Sequence, residues 1–210
     1  ETVRNELDRI ARVILDAQVP DLTTRVVWAS QLATNAHWFF EGEVMRRQSG
    51  EPLLTEVKGL YEVAGTDFTL RGKADRIDRL NTGELIIYDY KTGTPPSRAA
   101  IRQYDRQLIL EATMAEAGAF QDLPPTKVAK VVHLGVGRTP KEQITPLTKD
   151  DKTVTVSRHI AQLLSSYLDR EVGYLSRRAM EDLRYDGDYD HLARFGEWDT
   201  SEPGTVEEVG

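Results

Sequence analysis

Apolar residues recur at helical spacing at the start of the chain, where Val3, Leu7, Ile10, Ile14 and Leu15 share a face and Pro20 lies just past the end. The spacing predicts a helix over 1–17. A broader apolar face with a charged tail predicts a second, well-packed helix over 26–48. The pattern then changes to β-forming runs at 53–63, 68–80 and 84–92, separated by Ala64-Gly65-Thr66 and Asn81-Thr82-Gly83 and stopped by Gly93, Pro95 and Pro96. Helical spacing returns over 101–120, with Gly118 marking the end, and 127–137 reads as a buried strand. A short edge strand over 143–146 and a long helix over 151–169 follow. From Arg177 the chain turns polar and aromatic, which predicts a surface strap, and from Asp199 a loose tail. Helices, a β-meander, a helix, a strand and a helix predict an α/β fold with a mixed central sheet flanked by helices. The expected unit is one domain over 1–198: helices in 1–50, sheet and core in 53–137, helix and strap in 151–198, with 199–210 as tail.

Residues 72–93, GKADRIDRLNTGELIIYDYKTG, depart from this pattern because carboxylates and a lysine stand where a half-buried hairpin calls for apolar residues. Asn81-Thr82-Gly83 suits a type I turn closed by a left-handed glycine, which sets Leu80 against Glu84. Counting outward places Asp75 opposite Asp89, and the two-residue period puts Lys91 on the face of Asp89. Opposed like charges cost about 0.2–1 kcal/mol, and more when buried. A divalent cation, a shared proton or Lys91 reaching in would offset that cost. Oxygen-only ligation favours a hard ion such as Mg²⁺ or Mn²⁺, which suits phosphodiester hydrolysis. The bland alternative is a diagonal surface ion pair, the usual fate of D-x-K on an open strand. Ile87 on the charged face argues that the face is partly covered.

Composition narrows the choices further. Cysteine is absent, which excludes thiolate metal sites and cysteine nucleophiles from these residues. A net charge of −7 is unhelpful for a free-standing nucleic-acid binder, so a nucleic-acid substrate would have to be delivered by something else. No apolar run reaches membrane-span length, and the first residues lack a signal-peptide pattern, so a cytoplasmic location is the expectation. There is no Met at position 1, and the chain reads as part of a longer one. No G-x-x-x-x-G-K-[ST] phosphate loop is present, so these residues are not a motor.

GKADRID, then DYKTG, then QLILE in the following helix resemble the RecB-like branch of the PD-(D/E)XK nucleases, and most of all the AddB-type C-terminal nuclease domain in its alphaproteobacterial form. LTEV upstream, AGAF after the helix and YDHLARFGEW near the end extend the similarity over most of the chain. The resemblance implies a metal-dependent DNA nuclease centre on Asp75, Asp89 and Lys91, with Glu56 of LTEV joining Asp75 and Asp89 at Mg²⁺. It implies that Gln107, followed by Leu108 and Leu110, faces the site. It also implies exonuclease-type end processing in double-strand-break repair, with an AddA-like helicase–nuclease subunit and the remainder of an AddB-type chain as partners. Two departures stand out. Position 111 is Glu where the pattern has Tyr, and the family's metal-holding His in G-x-x-x-H has no counterpart, which implies that it lies upstream of Glu1; His37 is in the wrong motif. Without cysteine, no iron–sulfur cluster is expected.

Other residues have plainer expected roles. Asp78, on the opposite face from Asp75, is expected to partner Arg76, Arg79 or a nearby loop. Lys73 could touch a phosphate, and Arg98, Arg102 and Arg106, spaced by four, could line a DNA-backbone strip or a face salt-bridged with Asp105 and Glu116. His133 reads as a satisfied core histidine, and His159 and His191 as structural or surface residues. Tyr88 and Tyr90 are expected in the core, and Trp28, Trp38 and Phe39 in helix packing.

Overall fold

A computed structural model of the chain describes residues 2–172 and the isolated positions 191, 192, 194 and 197. The strap expected from Arg177 and the tail expected from Asp199 otherwise lie outside the described residues. Helices α1 (Thr2–Gln18) and α2 (Leu22–Ser49) lead into strands β1 (Gly50–Glu62), β2 (Thr69–Leu80) and β3 (Leu85–Lys91). Helices α3 (Arg98–Gln103) and α4 (Gln107–Glu116) cross over to β4 (Val128–Gly135), and β5 (Lys141–Pro146) and α5 (Thr153–Leu168) follow. The sheet runs β1-β2-β3-β4-β5. All neighbours are antiparallel except β3 and β4, which are parallel and therefore need the helical crossover. This is the mixed α/β sheet that the sequence pattern predicts.

One face of the sheet packs Ile77, Leu85, Ile87 and Val131 against Leu108, Ile109 and Ala112 of α4 and Val156 of α5. Gly59 and Gly72 keep that face low: a Cβ on Gly59 would stand 2.7 Å from Met114 Cε and from Phe120 Cδ1. The segment after α4 lies against the outer edge of β1, where Leu60 N donates to Ala119 O at 2.9 Å and Gln121 N to Lys58 O at 3.1 Å.

The other face carries Ile86, Tyr88, Val132 and Leu134, covered in part by Trp38 of α2. Asn35 fixes α2 to the end of β4 by donating to the carbonyls of Val136 and Gly137 at 2.8 and 2.6 Å. Arg76 is buried at the centre of this contact. Its guanidinium forks onto Asp78 at 2.6 and 2.7 Å and onto Glu43 of α2 at 2.8 and 3.0 Å, and it lies over the Tyr88 ring, 5.2 Å from its centroid. Burial works against Glu43, yet hydrogen bonds from Arg76, Arg47 and Arg46 outweigh it and hold its carboxyl down at about 2. Asp78 thus takes the structural role expected of it. Trp28 does not pack as expected: it is 49% exposed on α2, on the part of the helix that pairs with α1 rather than with the sheet.

The helix expected over 101–120 is two helices. After Gln103 the chain leaves α3, Asp105 Oδ1 stands 3.9 Å from His133 Nε2, and Arg106 pairs with Asp151 at 3.0 Å. These tertiary contacts override a continuous helical pattern and make Gln107 the first residue of α4.

Candidate active site

The site begins at a fault in the sheet. Between Thr55↔Arg76 and Val57↔Ala74 the ladder skips Glu56 and Asp75, and Glu56 stands at φ 54°, a left-handed conformation that side-chain-bearing residues avoid. Leu54, Val57, Ala74 and Ile77 all pack into one core, although positions three apart in a regular strand point to opposite faces. The fault therefore absorbs one residue on each strand.

One strand over, the turn sets the register that its glycine predicts. Gly83 is left-handed at φ 88°, Leu80 N donates to Glu84 O at 2.8 Å, and the ladder runs Arg79↔Leu85 to Arg76↔Tyr88. The next pair in that register is Asp75 and Asp89. Here the Asp75 side chain replaces a backbone partner, with Oδ2 accepting the Tyr90 amide at 2.9 Å. On its other side β3 stays paired with β4, Asp89 opposite His133 and Lys91 opposite Gly135.

Asp89 is 5% exposed and has two partners. Lys91 Nζ donates to its Oδ1 at 3.2 Å and lies 2.9 Å from Oδ2, Gln107 Nε2 donates to the same Oδ1 at 3.1 Å, and Oδ2 has no hydrogen-bond partner. Lys91 Nζ also comes to 3.5 Å from Gln107 Oε1. Because α4 starts at Gln107, the positive end of a helix dipole faces these carboxylates. Burial disfavours the Lys91 ammonium, but the hydrogen bond and charge of Asp89, with the charges of Asp105 and Asp75, raise its pKa above the ordinary value. Lys91 is thus a fixed positive charge, suited to stabilising an anion and unsuited to taking a proton.

Glu111, one helical turn beyond Gln107, is the residue that sequence reasoning missed. Gln107 Nε2 donates to its Oε1 at 3.0 Å while also bonding Asp89. Its other oxygen, Oε2, is buried without a hydrogen-bond partner. Burial pushes the Glu111 carboxyl up to about 7; the Gln107 hydrogen bond and Lys91 oppose the rise, while the charges of Asp89 and Asp75 add to it. The i,i+4 spacing from Gln107 was the available signal, but as a substitution in a Tyr position it read only as a departure.

Glu56 is not brought into this group. Its side chain is 63% exposed and ion-paired with Lys73, itself half exposed, because the left-handed backbone at Glu56 turns it off the regular strand. Among the described residues no three acidic or imidazole groups form a ready ion cage. The donor set nevertheless suits Mg²⁺, which takes one or two carboxylates and completes its shell with water and substrate phosphate. Asp75 and Asp89 supply those carboxylates.

A family model for the PD-(D/E)XK nuclease superfamily matches residues 1–187. The chain belongs to this superfamily. Nuclease activity and a divalent metal are what superfamily membership supports. The chain is 30% identical over 143 residues to an uncharacterized protein of Rickettsia felis, covering 65% of this chain and 17% of that protein. A second uncharacterized protein, from Rickettsia typhi, is 29% identical over 137 residues, covering 61% of this chain and 16% of the relative. The chain thus spans about a sixth of the curated relatives it matches. The crystal structure of SSO0001 aligns with a TM-score of 0.34 at 18% identity, over 76% of this chain and 72% of that one.

The remaining candidates of this superfamily member are dispersed. Arg98 and Arg102 are exposed on α3, and Arg106 is separated from them by the helix break and engaged by Asp151. The expected pairing with Asp105 and Glu116 does not form; Glu116 instead accepts Val128 N at 3.1 Å and the Thr153 hydroxyl. His133 is in the core as expected but is not satisfied: it is fully buried, neither ring nitrogen has a hydrogen-bond partner, and burial lowers its pKa, leaving it neutral. His37 pairs with Glu41 on an exposed face of α2, and His159 and His191 are exposed. Tyr88 is buried, and Tyr90 packs against the same cluster with its ring 6.3 Å from Phe39. Among the described residues no helix is long and apolar enough to cross a membrane.

Glu111 makes stability depend on pH. Folded, it takes up its proton near pH 7; unfolded, near 4.5. The folded state binds more protons across that window, so stability falls as pH rises through it, by about 3 kcal/mol in full. Denaturant unfolding at pH 5 and pH 8, in a chelator, is expected to show this decline in the wild type and a flatter profile in Glu111→Gln. An equal decline in both proteins would exclude Glu111 as its source.

Proposed function

We propose that the chain is a metal-dependent DNA nuclease domain that trims ends at double-strand breaks within a helicase–nuclease complex of the AddAB type. The observation that carries this reading is the convergence of Asp75, Asp89, Lys91 and Gln107 at the point where β2 and β3 part. Superfamily membership supports the reaction class. The motif resemblance to AddB-type domains, and relatives about six times the matched length, support a place in a larger machine. The net charge of −7 fits a substrate strand delivered by a helicase rather than captured by this surface.

Asp75 and Asp89 would hold Mg²⁺ or Mn²⁺, which when bound polarises a phosphoryl oxygen and lowers the pKa of water. Lys91 remains protonated and faces the negative charge that builds on the phosphoryl oxygens. Gln107 and Lys91 both donate to Asp89 Oδ1 and orient the carboxylate, leaving Oδ2 without a hydrogen bond and available to the cation. Glu56, held by Lys73, takes no part in this scheme. Water oxygen bonds to phosphorus as the bond to the 3′ oxygen breaks, the water gives up a proton to solvent and the leaving 3′ oxygen takes one back, and the products are a 5′-phosphate and a 3′-hydroxyl.

Labelled single-stranded DNA incubated with the protein and Mg²⁺ is expected to shorten, with full suppression by EDTA and recovery on adding Mg²⁺ in excess. Intact DNA under all these conditions would favour a second reading, in which the nuclease fold guides DNA without cutting it. The absence of a ready three-ligand cage among the described residues is the observation on that side.

A further inference from the structure

We propose that Glu111 is a third carboxylate donor to the cation, reached when the Gln107 amide turns out of the gap between Glu111 and Asp89. The inference rests on the reading of Asp75 and Asp89 as cation ligands and adds to it a residue at a position where the motif has tyrosine.

Glu111 is 4% exposed and sits in the middle of α4, whose neighbouring residues Leu108, Ile109 and Ala112 build the core. A buried carboxylate that only packs would have both oxygens bonded, since an unpaired buried polar atom costs about 1–3 kcal/mol. Glu111 has one bond, from Gln107 to Oε1, and Oε2 has none. Among the described residues no Lys or Arg pairs with it, although Lys91 is near enough to act on it electrostatically. A structural role leaves that orphaned oxygen without a reason.

The position of Gln107 supplies one. Its amide nitrogen bonds Asp89 Oδ1 at 3.1 Å and Glu111 Oε1 at 3.0 Å, so one NH₂ group bridges two carboxylates. A neutral amide offers two partial positive charges to two full negative ones. Asp75 acts on the same group, so three carboxylates face the single ammonium of Lys91. With Glu111 ionised, charge balance calls for about two further positive charges, which a divalent ion between Asp89 and Glu111 would supply. Gln107 is exposed at the helix start and can rotate toward solvent without disturbing the core. The bridge also explains why no three-carboxylate cage stands ready among the described residues: the amide holds the third member at one remove.

Calorimetric titration with Mn²⁺ at pH 8 of wild type, Glu111→Gln, Asp89→Asn and Asp75→Asn tests this. Glu111→Gln, isosteric and uncharged, is expected to weaken Mn²⁺ binding at least about tenfold. Wild-type affinity in Glu111→Gln overturns the inference. Wild-type affinity in both Asp variants overturns instead the ligand assignment on which it rests. If Glu111→Gln fails to fold, ¹⁵N spectra of the wild type decide. The Gln107 side-chain NH₂ resonances are expected to move on saturation with Mg²⁺, and resonances that stay in place would count against Glu111 as a donor.

Discussion

Asp89→Asn is expected to reduce DNA hydrolysis by about a thousandfold or more, because metal-assisted charge stabilisation is worth several kcal/mol and each 1.36 kcal/mol is a factor of ten. Asp89 is the node of the site: Lys91, Gln107 and the proposed ion all bear on it. Lys91→Ala is expected to lower kcat by about 10²–10³ with little change in divalent-ion affinity, the behaviour of a fixed charge acting on the transition state. Single-turnover cleavage of a labelled oligonucleotide at saturating Mg²⁺ separates the two, since Asp89→Asn should also lose ion binding. Retained cleavage in either variant would move the chemistry elsewhere in the molecule.

The second large effect lies on the opposite face of the sheet. Arg76→Ala is expected to destabilise the fold by about 3–5 kcal/mol, the usual result of removing one partner from a buried ion pair. The loss leaves Asp78, 4% exposed at its side chain, and Glu43 without the guanidinium that joins β2 to α2. Glu43 has a folded value near 2 against 4.5 unfolded, so its contribution is complete above pH 4.5 and is lost as pH falls toward 2. Chemical denaturation at pH 7 measures the main effect. A cost below about 1 kcal/mol would mean that the network is no stronger than a surface pair.

Much of this site could be read from the hairpin alone. Gly83 fixes a turn, the turn fixes a register, and the register sets Asp75 against Asp89 with Lys91 beside it. The partnership of Asp78 with Arg76 followed from the same alternation. Glu56 was less legible because glutamate gives no sign of a left-handed backbone, and the fault it creates breaks the two-residue period on which facing arguments depend. The break between α3 and α4 was hidden for a related reason: Asp105 and Arg106 fit an exposed helical face, and Arg106 finds its partner, Asp151, only in the fold. Glu111 shows the limit of motif matching. Compared with a pattern it is a missing tyrosine, whereas in space it is a carboxylate sharing an amide with Asp89.

The left-handed residue at Glu56 also guards the rim of the sheet. Strand β1 is an outer strand, and thirteen residues of open backbone would be a template for pairing with another chain. Pro52 removes a donor near its start, the twist at Glu56 interrupts its middle, and residues 119–121 occupy its far half. No long run of free amides remains. The distortion that separates Asp75 from its ladder partner therefore also limits self-association, and straightening β1 at Glu56 would bring a tendency to aggregate along with any change at the site.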